Sequence, residues 1–153
     1  MRIILLSCLF LLSFLKASEL NIVSDSYSGN QKKGVSKFSG NVKIQKTKDR
    51  LEAQSVTVYT DEANKPTKMV ATGDVTFFVV AENNSTFKGI AQRVVYLPNK
   101  KEYNFFDGVE LFQVNEKKTI KGEHVCVNLT TSQATAKGDD KAPVRMSFEI
   151  DEK

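Results

Sequence analysis

From Ser18 to the C-terminus, apolar residues fall on every second position: Val42/Ile44, Val56/Val58, Val75/Phe77/Val79, Val94/Tyr96, Val109/Leu111, Val125/Val127/Leu129 and Met146/Phe148/Ile150. A period of two belongs to a strand with one buried face, because successive side chains point to opposite sides of a sheet. Thr, Lys, Asp, Asn and Gln fill the intervening positions. The second face is therefore solvated, as in antiparallel rather than parallel sheets. No stretch sustains a 3.6-residue period. Turn-forming clusters recur at Ser28-Gly29-Asn30, Thr60-Asp61-Glu62-Ala63-Asn64-Lys65-Pro66, Ala81-Glu82-Asn83-Asn84-Ser85, Pro98-Asn99-Lys100-Lys101, Asn115-Glu116-Lys117-Lys118 and Gly138-Asp139-Asp140. With roughly 8 to 12 residues per strand and turn, the spacing predicts about 12 to 16 short strands in a sandwich, roll or barrel.

An internal repeat organises these strands. Ser39-Gly40-Asn41-Val42-Lys43-Ile44, Thr72-Gly73-Asp74-Val75-Thr76-Phe77 and Asp107-Gly108-Val109-Glu110-Leu111 each set a glycine before alternating apolar residues, with the glycines 33 and 35 positions apart. A second element follows each copy: Leu51–Tyr59, Gly89–Tyr96 and Gly122–Val127. The unit recurs about three times as an array in which neighbours complete one another's core. The glycine ahead of each strand supplies a corner or bulge. No linker or domain boundary is visible.

The first residues read as an address rather than as part of the fold. Met1-Arg2 precedes the 13-residue apolar run Ile3–Leu15, then Lys16-Ala17-Ser18 and polar sequence. This is the pattern of a secretory signal peptide over residues 1–17, with residues 18–153 as the mature domain. An uncleaved anchor is the alternative, although spanning a bilayer takes roughly 20 apolar residues. A lipidated Cys8 is another, although only seven residues precede it. Cleavage removes Arg2 and Lys16, so the formal charge falls from +4 to about +2 and the case for a nucleic-acid partner loses its main support. It also removes Cys8 and leaves Cys126 alone, so the exported domain holds together without an internal disulfide. At 41% hydrophobic and 26% charged, the chain has enough apolar residues for one core.

Several ordered segments resemble the organic-solvent-tolerance A (OstA-like, LptA-like) domain family of lipopolysaccharide transport proteins. They are Ile22-Val23-Ser24-Asp25, Phe38–Ile44, Leu51–Val56, Ala71–Phe77, Gly89-Ile90-Ala91 leading into Tyr96, and Ile120-Lys121-Gly122-Glu123. The resemblance implies an all-β, single-domain twisted antiparallel β-jellyroll (β-taco), open along one side, whose hydrophobic groove carries the acyl chains of lipopolysaccharide (lipid A). It implies a non-enzymatic bridge in the periplasm, joined edge to edge with an LptC-like inner-membrane protein, an LptD-like outer-membrane translocon and further copies of itself in an end-to-end homo-oligomer. The chain departs from the family's pattern in a short C-terminus ending Phe148-Glu149-Ile150-Asp151-Glu152-Lys153 and in an Asn/Ser-rich turn before Phe87. A membrane-anchored LptC-like paralogue and an exported β-repeat scaffold without lipid cargo are the alternatives.

Strand alternation places Leu20, Ile22, Phe38, Val42, Ile44, Val58, Val75, Phe77, Val94, Tyr96, Phe105, Leu111, Val127 and Phe148 inward. On their own these residues describe an ordinary core; the resemblance makes them the lining of a lipid groove, with Leu20 and Ile22 near its open end. His124, Cys126 and Asn128 share the opposite face of their strand from Val125 and Val127, and His-x-Cys offers two metal ligands where a structural zinc site needs four. No metal or cofactor is expected. No G-x-S-x-G, H-E-x-x-H or C-x-x-C occurs, which removes the common hydrolase constellations. Lys43, Lys46, Lys48 and Arg50 gather near one strand end and Lys117, Lys118 and Lys121 near another, as solvated edges or as contacts for lipid phosphates. Asn84, in Asn84-Ser85-Thr86 with Glu82 two residues earlier, fits a glycosylation acceptor.

Overall fold

The computed structural model describes residues 19–152; the signal-peptide reading of residues 1–17 and the Cys8 alternative lie outside them. Ten strands form one antiparallel sheet: β1 (Leu20–Val23), β2 (Ser26–Asn30), β3 (Val35–Lys46), β4 (Asp49–Thr60), β5 (Pro66–Val80), β6 (Thr86–Leu97), β7 (Glu102–Gln113), β8 (Lys118–Asn128), β9 (Ala134–Lys137) and β10 (Arg145–Phe148). The path runs β1-β3-β4-β5-β6-β7-β8-β10, with β2 on the same edge of β3 as β1 and β9 on the same edge of β8 as β10. A single 3₁₀ turn at Pro98–Lys100 is the only helical element among the described residues.

The strands are fewer and longer than the sequence predicts, because the repeated glycines sit inside strands rather than ahead of them. Gly40-Asn41 on β3, Gly73-Asp74 on β5 and Asp107-Gly108 on β7 all have positive φ. At each pair the register with the next strand slips, between Ser39 and Val42, between Thr72 and Val75, and between Phe106 and Val109. Two residues oppose one across the ladder, so the strand bends and continues. At Gly73 a side chain would meet two obstacles: φ is +87°, and a Cβ would lie 2.6 Å from Gln54 Oε1. Asp74 turns the bend into a polar clasp on the solvated face, accepting from Gln54 Nε2 (3.3 Å) and Gln92 Nε2 (3.2 Å). The turn expected at Ser28-Gly29-Asn30 is instead strand β2, paired with Val35–Ser39. The reversal falls at Gln31–Gly34, where the Gly34 N–H donates to the Gln31 carbonyl.

Register carries the alternation across the whole sheet. Ile22, Ile44, Leu51, Phe77, Gly89, Leu111, Ile120 and Met146 are successive cross-strand partners, one from each of the eight strands on the path from β1 to β10. A second row runs Val56, Ala71, Val94, Phe105, Val125, Ala136. The bends fold the β3–β5 blade over the β6–β8 blade, so side chains from strands that are not neighbours meet. Phe77 of β5 stacks on Phe105 of β7 with centroids 4.0 Å apart, and the Lys46 ammonium of β3 lies 5.1 Å over the Tyr96 ring of β6. Val56, Val75, Val79, Phe87, Phe105, Leu111, Val125 and Val127 are wholly buried between the blades. Each side chain of this size contributes about 1.5 to 3 kcal/mol when buried.

Candidate functional site

The space between the blades is the site that the sequence points to. Val42, Ile44, Val58, Val75, Phe77, Val94, Tyr96, Phe105, Leu111 and Val127 are buried there, and Leu20, Ile22 and Phe38 pack half-buried at its margin. Phe148 departs from the expectation. It lies on the last strand opposite Lys118, whose ammonium sits 6.0 Å over its ring, and is 60% exposed. Val144, Met146 and Ile150 are exposed beside it on alternate positions.

The interior is filled. The cavity there, open on one side and lined by Ile44, Leu51, Met69, Ala71, Val94 and Tyr103 among others, measures about 10 Å³. An apolar cavity needs on the order of 150 Å³ to admit even benzene. Apolar walls are thus present with little free volume, and a guest the size of an acyl chain would fit only with the blades parted. The two edges of the sheet, β1/β2 and β9/β10, are not paired with each other.

One polar link crosses the interior, and the sequence gives little sign of it. Asp49, at the start of β4, accepts from the Val80 backbone N–H (3.0 Å) and from the Tyr103 hydroxyl of β7 (2.9 Å). It is 7% exposed. Burial raises its carboxyl above the ordinary carboxylate range, against the two hydrogen bonds and the nearby Lys46 charge. Burial, and then the Asp49 charge, likewise hold the Tyr103 hydroxyl well above its usual range, so it stays a donor. Tyr103 shares the odd-numbered alternation of Phe105 and could have been read from it. Asp49 stands in Lys48-Asp49-Arg50 and looks like a turn residue; only its register with Lys46 turns it inward.

On the solvated face, His124 stacks on Phe106 (centroids 4.5 Å apart) and its Nε2 donates to Asn104 Oδ1 at 2.9 Å. Cys126 is a free thiol beside it, pushed up to about 11 by burial and then by Glu102. A thiol held protonated at neutral pH is a poor nucleophile and a poor metal ligand. Lys118 and Lys121 pair with Glu116 (2.6 Å) and Glu110 (3.2 Å). Arg50 lies over Phe78, 4.7 Å from the centroid. Asn84 is exposed at the tip of the β5–β6 turn with φ 66°. Among the described residues no helix is long and apolar enough to cross a membrane.

An all-β open jellyroll with a continuous apolar inner face defines the class. The family described as "LptA/(LptD N-terminal domain) LPS transport protein" matches residues 21–133, and the chain belongs to it. Among solved structures, the fold is similar to LptH of Pseudomonas aeruginosa, described as the LptA-homologous periplasmic component of the conserved lipopolysaccharide transport device. The TM-score is 0.75 at 17% identity, over 86% of this chain and 96% of that one. No curated protein sequence matches.

Proposed function

We propose that this chain is a periplasmic bridge of lipopolysaccharide transport, with acyl chains held between its blades and jellyrolls joined edge to edge between an LptC-like inner-membrane protein and an LptD-like outer-membrane translocon. The supporting observation is the apolar row from Ile22 to Met146, which reaches both unpaired edges of the sheet instead of ending inside it. Such a row offers a path along which tails can pass from one jellyroll to the next, and edges with unmet hydrogen-bonding groups are natural sites for strand addition. Each methylene kept from water contributes about 0.8 kcal/mol. No bond is made or broken, and the force for movement comes from another component.

A scaffold without cargo is the rival, and the filled interior favours it. Lipopolysaccharide retention by purified protein separates the two. Phe77→Asp puts a charge between the blades and abolishes retention, whereas Thr76→Asp, on the exposed face of the same strand, leaves it intact. Where Phe77→Asp fails to fold, Leu20→Asp at the half-buried margin carries the same test. Equal retention by inner-face and outer-face variants would refute the groove.

A further inference from the structure

The apolar inner face ends in charge at one corner. On β3 the inward positions Val42 and Ile44 are followed by Lys46, and on β4 the inward Ala53 and Leu51 are preceded by Asp49, its register partner. Beyond this pair opens a cleft of about 500 Å³, bounded by Lys46, Lys48, Asn84, Tyr96 and Lys101 among others. Lys46, Asp49 and Tyr96 line both this cleft and the filled apolar interior, so the two are one continuous surface, apolar within and polar at the mouth.

The charge balance there is uneven. The two acids of the cleft are already engaged: Glu82 accepts from Lys101 Nζ at 2.7 Å, and Asp49 accepts from Val80 and Tyr103. Lys46 and Lys48 have no ion-pair partner among the described residues. The Tyr96 ring beneath the Lys46 ammonium fixes where that charge sits. The walls are fixed as well. The Glu82 N–H donates to the Leu129 carbonyl (2.9 Å) and the Leu129 N–H to the Lys101 carbonyl (2.8 Å), lacing the β5–β6, β6–β7 and β8–β9 turns together. A cleft whose walls are already held loses little order on binding an anion. A phosphate group, at about −1.5 to −2, carries the charge that matches two ammonium groups.

We propose that this cleft holds the phosphate of an amphiphile whose acyl chains occupy the adjoining interior, with Lys46 and Lys48 as the phosphate ligands. The inference rests on the lipid-carriage reading and adds to it the end of the fold that takes the head group. Equilibrium dialysis of wild type and Lys46→Gln/Lys48→Gln tests it against three probes: bis-phosphorylated lipid A, the same lipid with both phosphates removed, and inorganic phosphate. The double variant is expected to lose about tenfold or more in affinity for the phosphorylated lipid and nothing for the dephosphorylated one, with Lys46→Arg/Lys48→Arg restoring the difference. Equal loss on both lipids, or no loss on either, overturns the assignment. So does wild-type protein that binds both lipids equally, and this leaves carriage itself standing. Inorganic phosphate bound as tightly as the phosphorylated lipid, and lost in the double variant, overturns the head-group source in favour of free phosphate. Wild-type protein that binds neither lipid overturns the carriage reading and this inference with it.

Discussion

Tyr103→Phe removes one oxygen from the interior and with it the only hydrogen bond seen between β4 and β7, 2.9 Å from Tyr103 Oη to Asp49 Oδ2. The ring stays and no cavity larger than that oxygen opens, so the loss is that of a hydrogen bond to a charged acceptor, about 1.5 to 3 kcal/mol. In a fold of this size that lowers the melting temperature by roughly 5 to 10 °C. The same change acts oppositely on binding. With only about 10 Å³ free between the blades, a ligand tail must part them, and the Asp49–Tyr103 link is one of the contacts broken when they part. Removing it from the closed state raises the open fraction by about tenfold for each 1.4 kcal/mol. Thermal denaturation followed by circular dichroism, beside equilibrium dialysis with an acylated ligand, gives both quantities. Tyr103→Phe should show a lower melting temperature together with a tighter apparent affinity. A lower melting temperature with unchanged or weaker binding would refute the idea that β4 and β7 separate on loading.

Three further outcomes follow. The Asp49 carboxyl is raised in the folded state, so its contribution is fully present below the unfolded carboxylate range and is lost as pH rises through the folded value. Wild type should therefore gain stability over Asp49→Asn as pH falls from 7 toward 3.5, and melting curves that run parallel across that range would contradict this. Gly73→Ala, at φ +87° with Gln54 in the way, should cost about 1 to 3 kcal/mol in a denaturant titration, and a neutral result would mean that the β5 bend does not need glycine. Asn84, exposed at its turn with Glu82 two residues earlier, should carry a glycan in protein from the native source, and an intact mass equal to the bare mature chain would end that idea.

Much of the inner face was legible because a period of two survives register. Val42, Ile44, Val75, Phe77, Phe105, Leu111 and Val127 lie where alternation puts them. The strand count was not legible, and the reason is local. On β4, β6 and β8 the inward positions step by three instead of two at the bends, from Ala53 to Val56, from Ala91 to Val94 and from Gly122 to Val125. A step of three breaks the alternation and reads as the end of one short strand and the start of another, although the ladder continues. Phe148 shows the complementary limit: alternation assigns a face, whereas burial needs a neighbour, and β10 is the last strand on its side. Asp49 and the lysine cleft depend on how the blades fold over each other, which no local pattern records.

Photocrosslinking in lipopolysaccharide-producing cells probes whether lipopolysaccharide tails lie between the blades. A light-activated residue at Phe77 faces the interior, and one at Thr76 faces solvent from the same strand. A lipopolysaccharide adduct is expected at position 77 and none at 76. Adducts to protein alone, or adducts of equal yield at both positions, would contradict it.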